Sequence, residues 1–87
     1  MSLVVKRFTA KWCQPCLTLA PIISKLQLET SDVTFITIDV DEDSEQAHTY
    51  GVRSIPYVVF EKDGKVVETL AGIHPVDEYK QLLNKHK

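Results

Sequence analysis

Apolar residues recur in two short runs and in one helical stripe, and their spacing predicts strands that alternate with helices. Residues 3–8 and 33–40 are mostly apolar and rich in β-branched side chains, which is typical of strands. Between them, residues 14–28 carry apolar side chains at the i, i+3, i+4, i+7 spacing of a helix with one buried face. The members of this stripe are Cys16, Leu19, Ala20, Ile23 and Leu26.

The second half of the chain predicts a short helix, a hairpin and a closing helix. The short helix covers residues 44–50, and two β-rich runs, 56–61 and 65–71, flank the turn Lys62-Asp63-Gly64. Pro75 opens the last helix. The resulting order, β-α-β-α-β-β-α, predicts a small α/β fold with a four-stranded mixed sheet.

Length, charge and cysteine content exclude several classes of protein. A chain of 87 residues suffices for one domain, residues 1–87, with one modest core. The net charge of −2 provides no strong field for binding nucleic acid or an anionic membrane, so we expect neither partner. No apolar run approaches the roughly 20 residues of a membrane span. With two cysteines and no signal-peptide pattern, the expected location is the cytoplasm.

The two cysteines, Cys13 and Cys16, lie where the first strand passes into the first helix, and four interpretations compete. They are a structural disulfide, a pair of metal ligands, two inert buried thiols, or a redox pair. A bridge across so short a loop removes only about 2 kcal/mol of unfolded-state entropy, which is little reason to keep it in a reducing compartment. Zinc requires four ligands, and the three histidines are scattered without ligand spacing, so we expect no metal.

The redox interpretation has the strongest physical support. Residues i and i+3 of one helical turn lie about 5 Å apart, within the Cα distance that a disulfide needs. Cys13 falls at the N-terminus of the helix, where free backbone N–H groups and the helix dipole favour a thiolate. Cys16 lies on the inward stripe. We therefore expect an exposed, activated Cys13 beside a covered Cys16, an arrangement suited to dithiol exchange.

The segment Trp12-Cys13-Gln14-Pro15-Cys16 resembles the active site of the thioredoxin family, and the similarity extends over nearly the whole chain. Pro21 resembles the proline that kinks the same helix in that family. Residues 50–56 resemble the segment that leads to its cis-proline, while residues 60–64 and Gly72 match its later hairpin and glycine. The resemblance implies a minimal thioredoxin fold and a thiol–disulfide oxidoreductase that reduces protein disulfides.

The resemblance also implies a role for each site residue. Cys13 attacks a protein disulfide and Cys16 resolves the mixed disulfide, so the redox-active Cys13–Cys16 pair serves in place of a cofactor. The residues that support the active site are Trp12, Gln14, Pro15 and Pro56. The residues that line the substrate groove are Ile55, Ala71, Gly72 and Ile73. A cis bond between Ile55 and Pro56 is implied as well.

The implied partners are protein disulfides and an NADPH-linked thioredoxin reductase or a similar electron donor, and we expect a monomer. Two alternative functions stay open at this point. One is a glutaredoxin-like reductase linked to glutathione, for which no specific pocket stands out in the sequence. The other is a thioredoxin-fold binding module without redox turnover. Replacing Cys13 by Ser distinguishes the last alternative, since a binding module keeps its partner without the thiol.

Three departures from the family pattern affect the mechanism. The leading strand and helix of the family are missing, and Gln14-Pro15 stands in place of Gly-Pro. Arg7 occupies the position of a buried Asp, and Thr37 that of its usual Lys partner. The carboxylate thought to help deprotonate the inner cysteine is therefore absent, and that step is not carried over. Arg7 either approaches the cysteines and favours a thiolate, or extends to solvent along the strand edge.

Overall fold

The computed structural model describes residues 2–87, and Met1 lies outside them. The elements are β1 (Leu3–Thr9), α1 (Gln14–Glu29), β2 (Val33–Asp39), α2 (Ser44–Thr49), β3 (Tyr57–Lys62), β4 (Lys65–Ala71) and α3 (Val76–Lys85). This order confirms the predicted α/β fold with its four-stranded mixed sheet. The bounds agree with the sequence-based ones to within a single residue.

Strand β1 lies inside the sheet, whose strand order is β2-β1-β3-β4. It pairs in parallel with β2, from Leu3 opposite Val33 to Thr9 opposite Asp39, and antiparallel with β3. Helix α1 connects the two parallel strands, so it runs back along the sheet against the direction of β1. The first turn of α1 therefore lies over the carboxyl end of β1, and its last turn lies over the beginning of that strand.

One face of the sheet is covered by α1 and α3, and we call it the helix-pair face. The buried side chains of this core are Leu3, Val5, Leu19, Ile23, Leu26, Val58, Phe60, Tyr79 and Leu83. The predicted stripe of α1 is confirmed, except that Ala20 is only half-buried. On the opposite face, Phe8, Ile38 and Val59 form a smaller core with α2 and the segment that follows it.

The turn between β3 and β4 is set by two residues with positive φ. Asp63 has φ 52° and Gly64 has φ 83°, and they connect the paired residues Lys62 and Lys65. Two consecutive left-handed residues give a hairpin turn whose twist matches that of the strands. The predicted hairpin is therefore confirmed, and its two-residue loop fixes the register at this end of the sheet.

A nearly buried charge network ties the end of α2 to the sheet. Lys6 Nζ donates a hydrogen bond to Tyr50 Oη at 2.6 Å and lies 3.4 Å from Glu61 Oε1, while Tyr50 Oη donates to Glu61 Oε2. The Lys6 and Glu61 side chains are 17% and 10% exposed. The hydrogen bond that Lys6 donates to Tyr50 and the charge of Glu61 raise the pKa of Lys6 above its ordinary value. Lys6 is thus held as a cation that fixes Tyr50, just past the end of α2.

We expect Leu19→Ala to lower the free energy of unfolding by about 2–5 kcal/mol, because Leu19 is fully buried between α1 and the sheet. Leu28→Ala on the same helix is the matched control, since Leu28 is 88% exposed, and it should change the value by less than about 0.5 kcal/mol. Urea unfolding followed by circular dichroism measures both. Equal losses in the two variants would contradict the assignment of the buried face.

We expect Glu61→Gln to destabilise the fold by about 1–3 kcal/mol at neutral pH, because Lys6 then lacks the counter-charge in a poorly hydrated site. Glu42→Gln is the control, since the Lys11–Glu42 pair is 85% and 70% exposed and should contribute less than about 1 kcal/mol.

The Lys6 network also predicts a dependence of stability on pH. A lysine whose pKa is raised by folding stabilises the native state below its ordinary pKa of 10.5, and this contribution is lost as the pH rises above that value. Urea unfolding between neutral and alkaline pH should therefore show a smaller alkaline loss for Glu61→Gln than for the unchanged chain. The same alkaline loss in both chains would show that the Lys6–Glu61 interaction does not contribute.

Candidate active site

Helix α1 begins at the first of the two cysteines. Cys13 is the N-cap, with extended backbone angles, and its Sγ accepts a hydrogen bond from the backbone N–H of Cys16 at 3.2 Å. Pro15 lies in the first turn, where a residue without an N–H costs nothing. The two cysteines form a disulfide, and their Cα atoms are 5.2 Å apart. The predicted geometry of one thiol at the helix start and a partner one turn later is present.

Both cysteines are buried in this oxidised state. Cys13 is 4% exposed and Cys16 is 1% exposed, so the prediction of an exposed Cys13 is wrong here. The reason is packing from distant segments: Val40 and Ile55 contact the cluster formed by the two cysteines and Ala10. The Cys13 Sγ also lies 3.9 Å from the Ile55 carbonyl oxygen. The segment before Pro56 therefore forms a wall beside the disulfide.

The position of the Trp12 side chain is fixed by one hydrogen bond. Its indole is 68% exposed, yet its Nε1 donates a hydrogen bond to Asp41 Oδ2 at 2.7 Å. Asp41 follows β2, so the contact joins the loops after β1 and β2 at the same edge of the sheet. Gln14 and Pro15, which are both exposed, continue the surface from Trp12 into the first turn of α1.

The predicted groove residues lie on two segments that the structure brings together. Ile55–Pro56 is a cis peptide bond, as the resemblance implies, and Pro56 is buried. The Gly72 backbone N–H donates to the Pro56 carbonyl oxygen at 2.9 Å, which places the end of β4 beside that bond. Ala71 is exposed and Ile73 is 44% exposed, so this segment offers accessible apolar surface.

A cavity of about 400 Å³ opens beside the disulfide. Its lining residues are Trp12, Val40, Ala47, Val52, Arg53, Ser54 and Ile55. Of the predicted site residues, only Trp12 and Ile55 contribute, while the segment from Ala71 to Ile73 does not line this cavity. Val40 and Ile55 line the cavity and also pack on the cysteine cluster, so the cavity and the disulfide share a wall.

Several residues that line the cavity were not among the site residues predicted from the sequence. Val40 follows β2, and the carboxyl ends of β1 and β2 meet at one edge of the sheet, which is a signal that could have identified it. Arg53 and Ser54 directly precede the predicted Ile55. Ala47 and Val52 give no comparable signal, because ordinary packing of a short helix explains apolar residues at those positions equally well.

Arg7 lies in β1, opposite Thr37 of β2 and Val58 of β3. Its Nη2 donates a hydrogen bond to Thr37 Oγ1 at 3.4 Å, whereas its Nε is buried and has no hydrogen-bond partner in the part of the chain that the structure describes. Burial lowers the pKa of Arg7 from its ordinary value. The side chain thus reaches toward the β2 edge, as one of the two expectations had it, but its inner part is desolvated.

Residues 2–87 contain neither a clustered metal-ligand set nor a membrane-spanning helix. They contain no group of three or more His, Cys, Asp or Glu side chains arranged to hold a metal ion. None of the helices in this range has the length and apolar character needed to cross a membrane.

Comparison with known proteins gives consistent matches over almost the entire chain. A family model described as Thioredoxin matches residues 1–85. Thioredoxin of Bacillus subtilis is 45% identical over 84 residues, which make up 95% of this chain and 81% of the relative. Thioredoxin of Listeria monocytogenes is 40% identical over 85 residues, 97% of this chain and 82% of the relative.

Solved structures agree with these sequence matches. The crystal structure of thioredoxin NaTrxh from Nicotiana alata superimposes with a TM-score of 0.92 at 38% identity, covering 99% of this chain and 74% of that one. The X-ray structure of Fasciola hepatica thioredoxin gives a TM-score of 0.91 at 37% identity, covering 99% of this chain and 82% of that one.

Proposed function

The chain belongs to the thioredoxin family, and we propose that Cys13 is the thiol that attacks a protein disulfide and Cys16 the thiol that resolves the mixed disulfide. Family membership together with the Cys13–Cys16 pair makes the protein a thiol–disulfide oxidoreductase that reduces protein disulfides. The matches do not favour a glutathione-linked reductase or a binding module without turnover.

The hydrogen bond from the Cys16 N–H to the Cys13 sulfur is the observation that carries the assignment. In the reduced protein the same N–H, with the other free N–H groups of the first turn of α1, stabilises a negative charge on Cys13. A stabilised thiolate is present at a lower pH than a free thiol, and the thiolate is the attacking species. Cys16 lies inside the helix and provides the N–H, so it does not receive this stabilisation.

The reaction proceeds through two displacements at sulfur. The Cys13 thiolate attacks one sulfur of the substrate disulfide, forms a mixed disulfide, and releases the other substrate sulfur as a thiolate that takes up a proton. Cys16 then loses its proton and attacks the Cys13 sulfur, which releases the second substrate thiolate. Two electrons pass from the dithiol to the substrate. The product is the Cys13–Cys16 disulfide found in this structure.

The surface around the disulfide suits an extended substrate chain. In this proposal Trp12 and Ile55 provide apolar contacts beside the disulfide, and the segment formed by Ala71, Gly72 and Ile73 provides further ones. The hydrogen bond from the Gly72 N–H to the Pro56 carbonyl oxygen holds this segment beside Ile55 and Pro56. We place the substrate across these residues, with Gln14, Pro15 and Pro56 supporting the active site.

The proposal also includes the cellular setting. An NADPH-linked thioredoxin reductase, or a donor of the same kind, returns electrons to the disulfide in the cytoplasm. We expect a monomer, because the exposed large apolar side chains outside the active site lie on different elements: Leu17 and Leu28 on α1, Ile36 on β2 and Val66 on β4.

We expect Cys13→Ser to abolish the reduction of insulin disulfides and Cys16→Ser to accumulate a covalent adduct with the substrate. The adduct forms because Cys13 still attacks, while the thiol that should resolve the intermediate is missing. Mass spectrometry of the protein after exposure to oxidised insulin measures the adduct. Circular dichroism of both variants serves as the control for folding.

The opposite pattern would contradict the proposed roles. An adduct in Cys13→Ser and none in Cys16→Ser would make Cys16 the attacking thiol. Turnover that persists in both variants would mean that the pair does not carry the reaction.

We expect NADPH and a bacterial thioredoxin reductase to support insulin reduction by this chain, whereas glutathione with glutathione reductase should support it poorly. The consumption of NADPH at equal protein concentration measures both rates. Faster turnover with glutathione would reverse the donor assignment and favour the glutaredoxin-like alternative.

A further inference from the structure

Arg7 lies on the helix-pair face of the sheet, in a row with two uncharged neighbours. Along β1, Leu3 and Val5 contact the core under α1 and α3, while Phe8 contacts the core on the other face. Since side chains alternate along a strand, Arg7 shares the face of Val5. Its partners in register, Thr37 and Val58, share that face, and the hydrogen bond from Arg7 to Thr37 agrees with this placement.

This row lies beneath the first turns of α1. The helix runs against β1, and its later residues Leu19, Ile23 and Leu26 pack in the same core as Leu3 and Val5. Arg7 comes two residues after Val5, toward the carboxyl end of β1, so it underlies the turns at the beginning of α1. Cys16 is the buried residue at that end of the inward stripe. The base of the Arg7 side chain and its buried Nε thus lie on the face beneath the turn that carries Cys16, while Nη2 extends to Thr37 on β2.

The Arg7 cation has no anionic partner in its present position. No carboxylate within residues 2–87 lies within 4.0 Å of its guanidinium, and its buried Nε makes no hydrogen bond. Asp39 is the acidic residue that follows Thr37 on the same face of β2. The Asp39 carboxylate accepts hydrogen bonds from the backbone N–H groups of Asp41 and Glu42, at 2.8 and 3.3 Å. From α3, this face receives the phenol of Tyr79, which is buried and neutral.

We propose that Arg7 is a positioning residue: it holds a fixed positive charge under the first turns of α1. This charge favours the thiolate form of Cys16 when Cys16 resolves the mixed disulfide. The proposal rests on the assignment of Cys16 as the resolving thiol. A guanidinium keeps its proton under these conditions, so Arg7 accepts no proton, and the Cys16 proton passes to solvent. The Arg7 guanidinium is partly desolvated, since its Nε is buried while its Nη2 bonds to the exposed Thr37. A partly desolvated charge interacts with a nearby anion more strongly than a fully hydrated charge does.

The same interaction acts on the redox equilibrium. Reduction of the disulfide adds two electrons and two protons and gives two thiols, one of which ionises more readily when a cation is near. Stabilising the thiolate stabilises the reduced protein relative to the disulfide, in which neither sulfur carries a charge. Arg7 therefore makes the protein a weaker reductant than the same chain with a neutral residue at this position.

The test measures the pKa of Cys16 in a Cys13→Ala background, where Cys16 is the single thiol. Ultraviolet absorbance of the thiolate as a function of pH reports this pKa without requiring access of a reagent to the buried sulfur. We expect Arg7→Met to raise the pKa of Cys16, which corresponds to an acid dissociation constant about tenfold lower. Arg7→Lys should restore most of the original value. Lys25→Met is the control, because Lys25 is an exposed cation on the same helix and should have no effect.

A second measurement uses the chain with both cysteines. Equilibration in glutathione buffers should show the Arg7→Met variant shifted toward the disulfide by up to about tenfold, or about 30 mV. A structural role for Arg7 alone would change stability but neither the thiol pKa nor this equilibrium.

An unchanged Cys16 pKa in Arg7→Met, with native circular dichroism, would overturn the proposal. If Arg7→Met does not fold, the pKa of Cys16 in the chain that keeps Arg7 tests the proposal instead. Burial alone raises a thiol pKa, so a value above the ordinary 8.5 or so for Cys16 overturns the proposal, and a value below it supports the proposal. The adduct experiment with Cys16→Ser is independent of Arg7 and tests the assignment of the resolving thiol separately.

Discussion

The first turn of α1 contains backbone N–H groups that have no acceptor within the helix, and the sulfur of Cys13 accepts one of them. This single contact begins the helix, fixes the position of Cys13 and brings Cys16 to the same turn. It also supplies the electrostatic stabilisation that a reactive thiolate needs. The capping of the helix and the reactivity of the site are therefore two results of the same geometry. A better capping side chain, such as Asp, would retain the helix start and remove the chemistry.

The two faces of the sheet support different parts of the active site. The helix-pair face holds the main core, which anchors α1 and therefore the disulfide that α1 carries. The opposite face supports α2 and the segment after it, and these provide most of the lining of the cavity. The charge network of Lys6, Tyr50 and Glu61 ties that second layer to β1 and β3. The site thus forms where both layers reach the carboxyl end of β1.

The sequence predicted correctly those structural features that depend only on residues close together in the chain. The stripe of α1 follows from apolar spacing, and the hairpin follows from Asp63–Gly64, since both need only neighbouring residues. The burial of Cys13 was not predicted, because it depends on Ile55, a residue 42 positions away in the chain. The cavity escaped prediction for the same reason, since its walls come from separate segments. The surroundings of Arg7 likewise needed the register of β1 with both of its neighbours.

The central position of β1 has a consequence for the order in which the molecule can assemble on the ribosome. β1 and α1 emerge early, but β1 reaches its antiparallel partner only when β3 has been synthesised, since Leu3 pairs with Lys62. Pairings so distant in sequence form late and slowly compared with local contacts. Until then the sheet beneath α1 is incomplete, and Ile55, which packs on the two cysteines in the folded protein, has not yet been added to the chain. The enclosure of the two cysteines is therefore completed only when the segment from Ile55 through β3 has been synthesised.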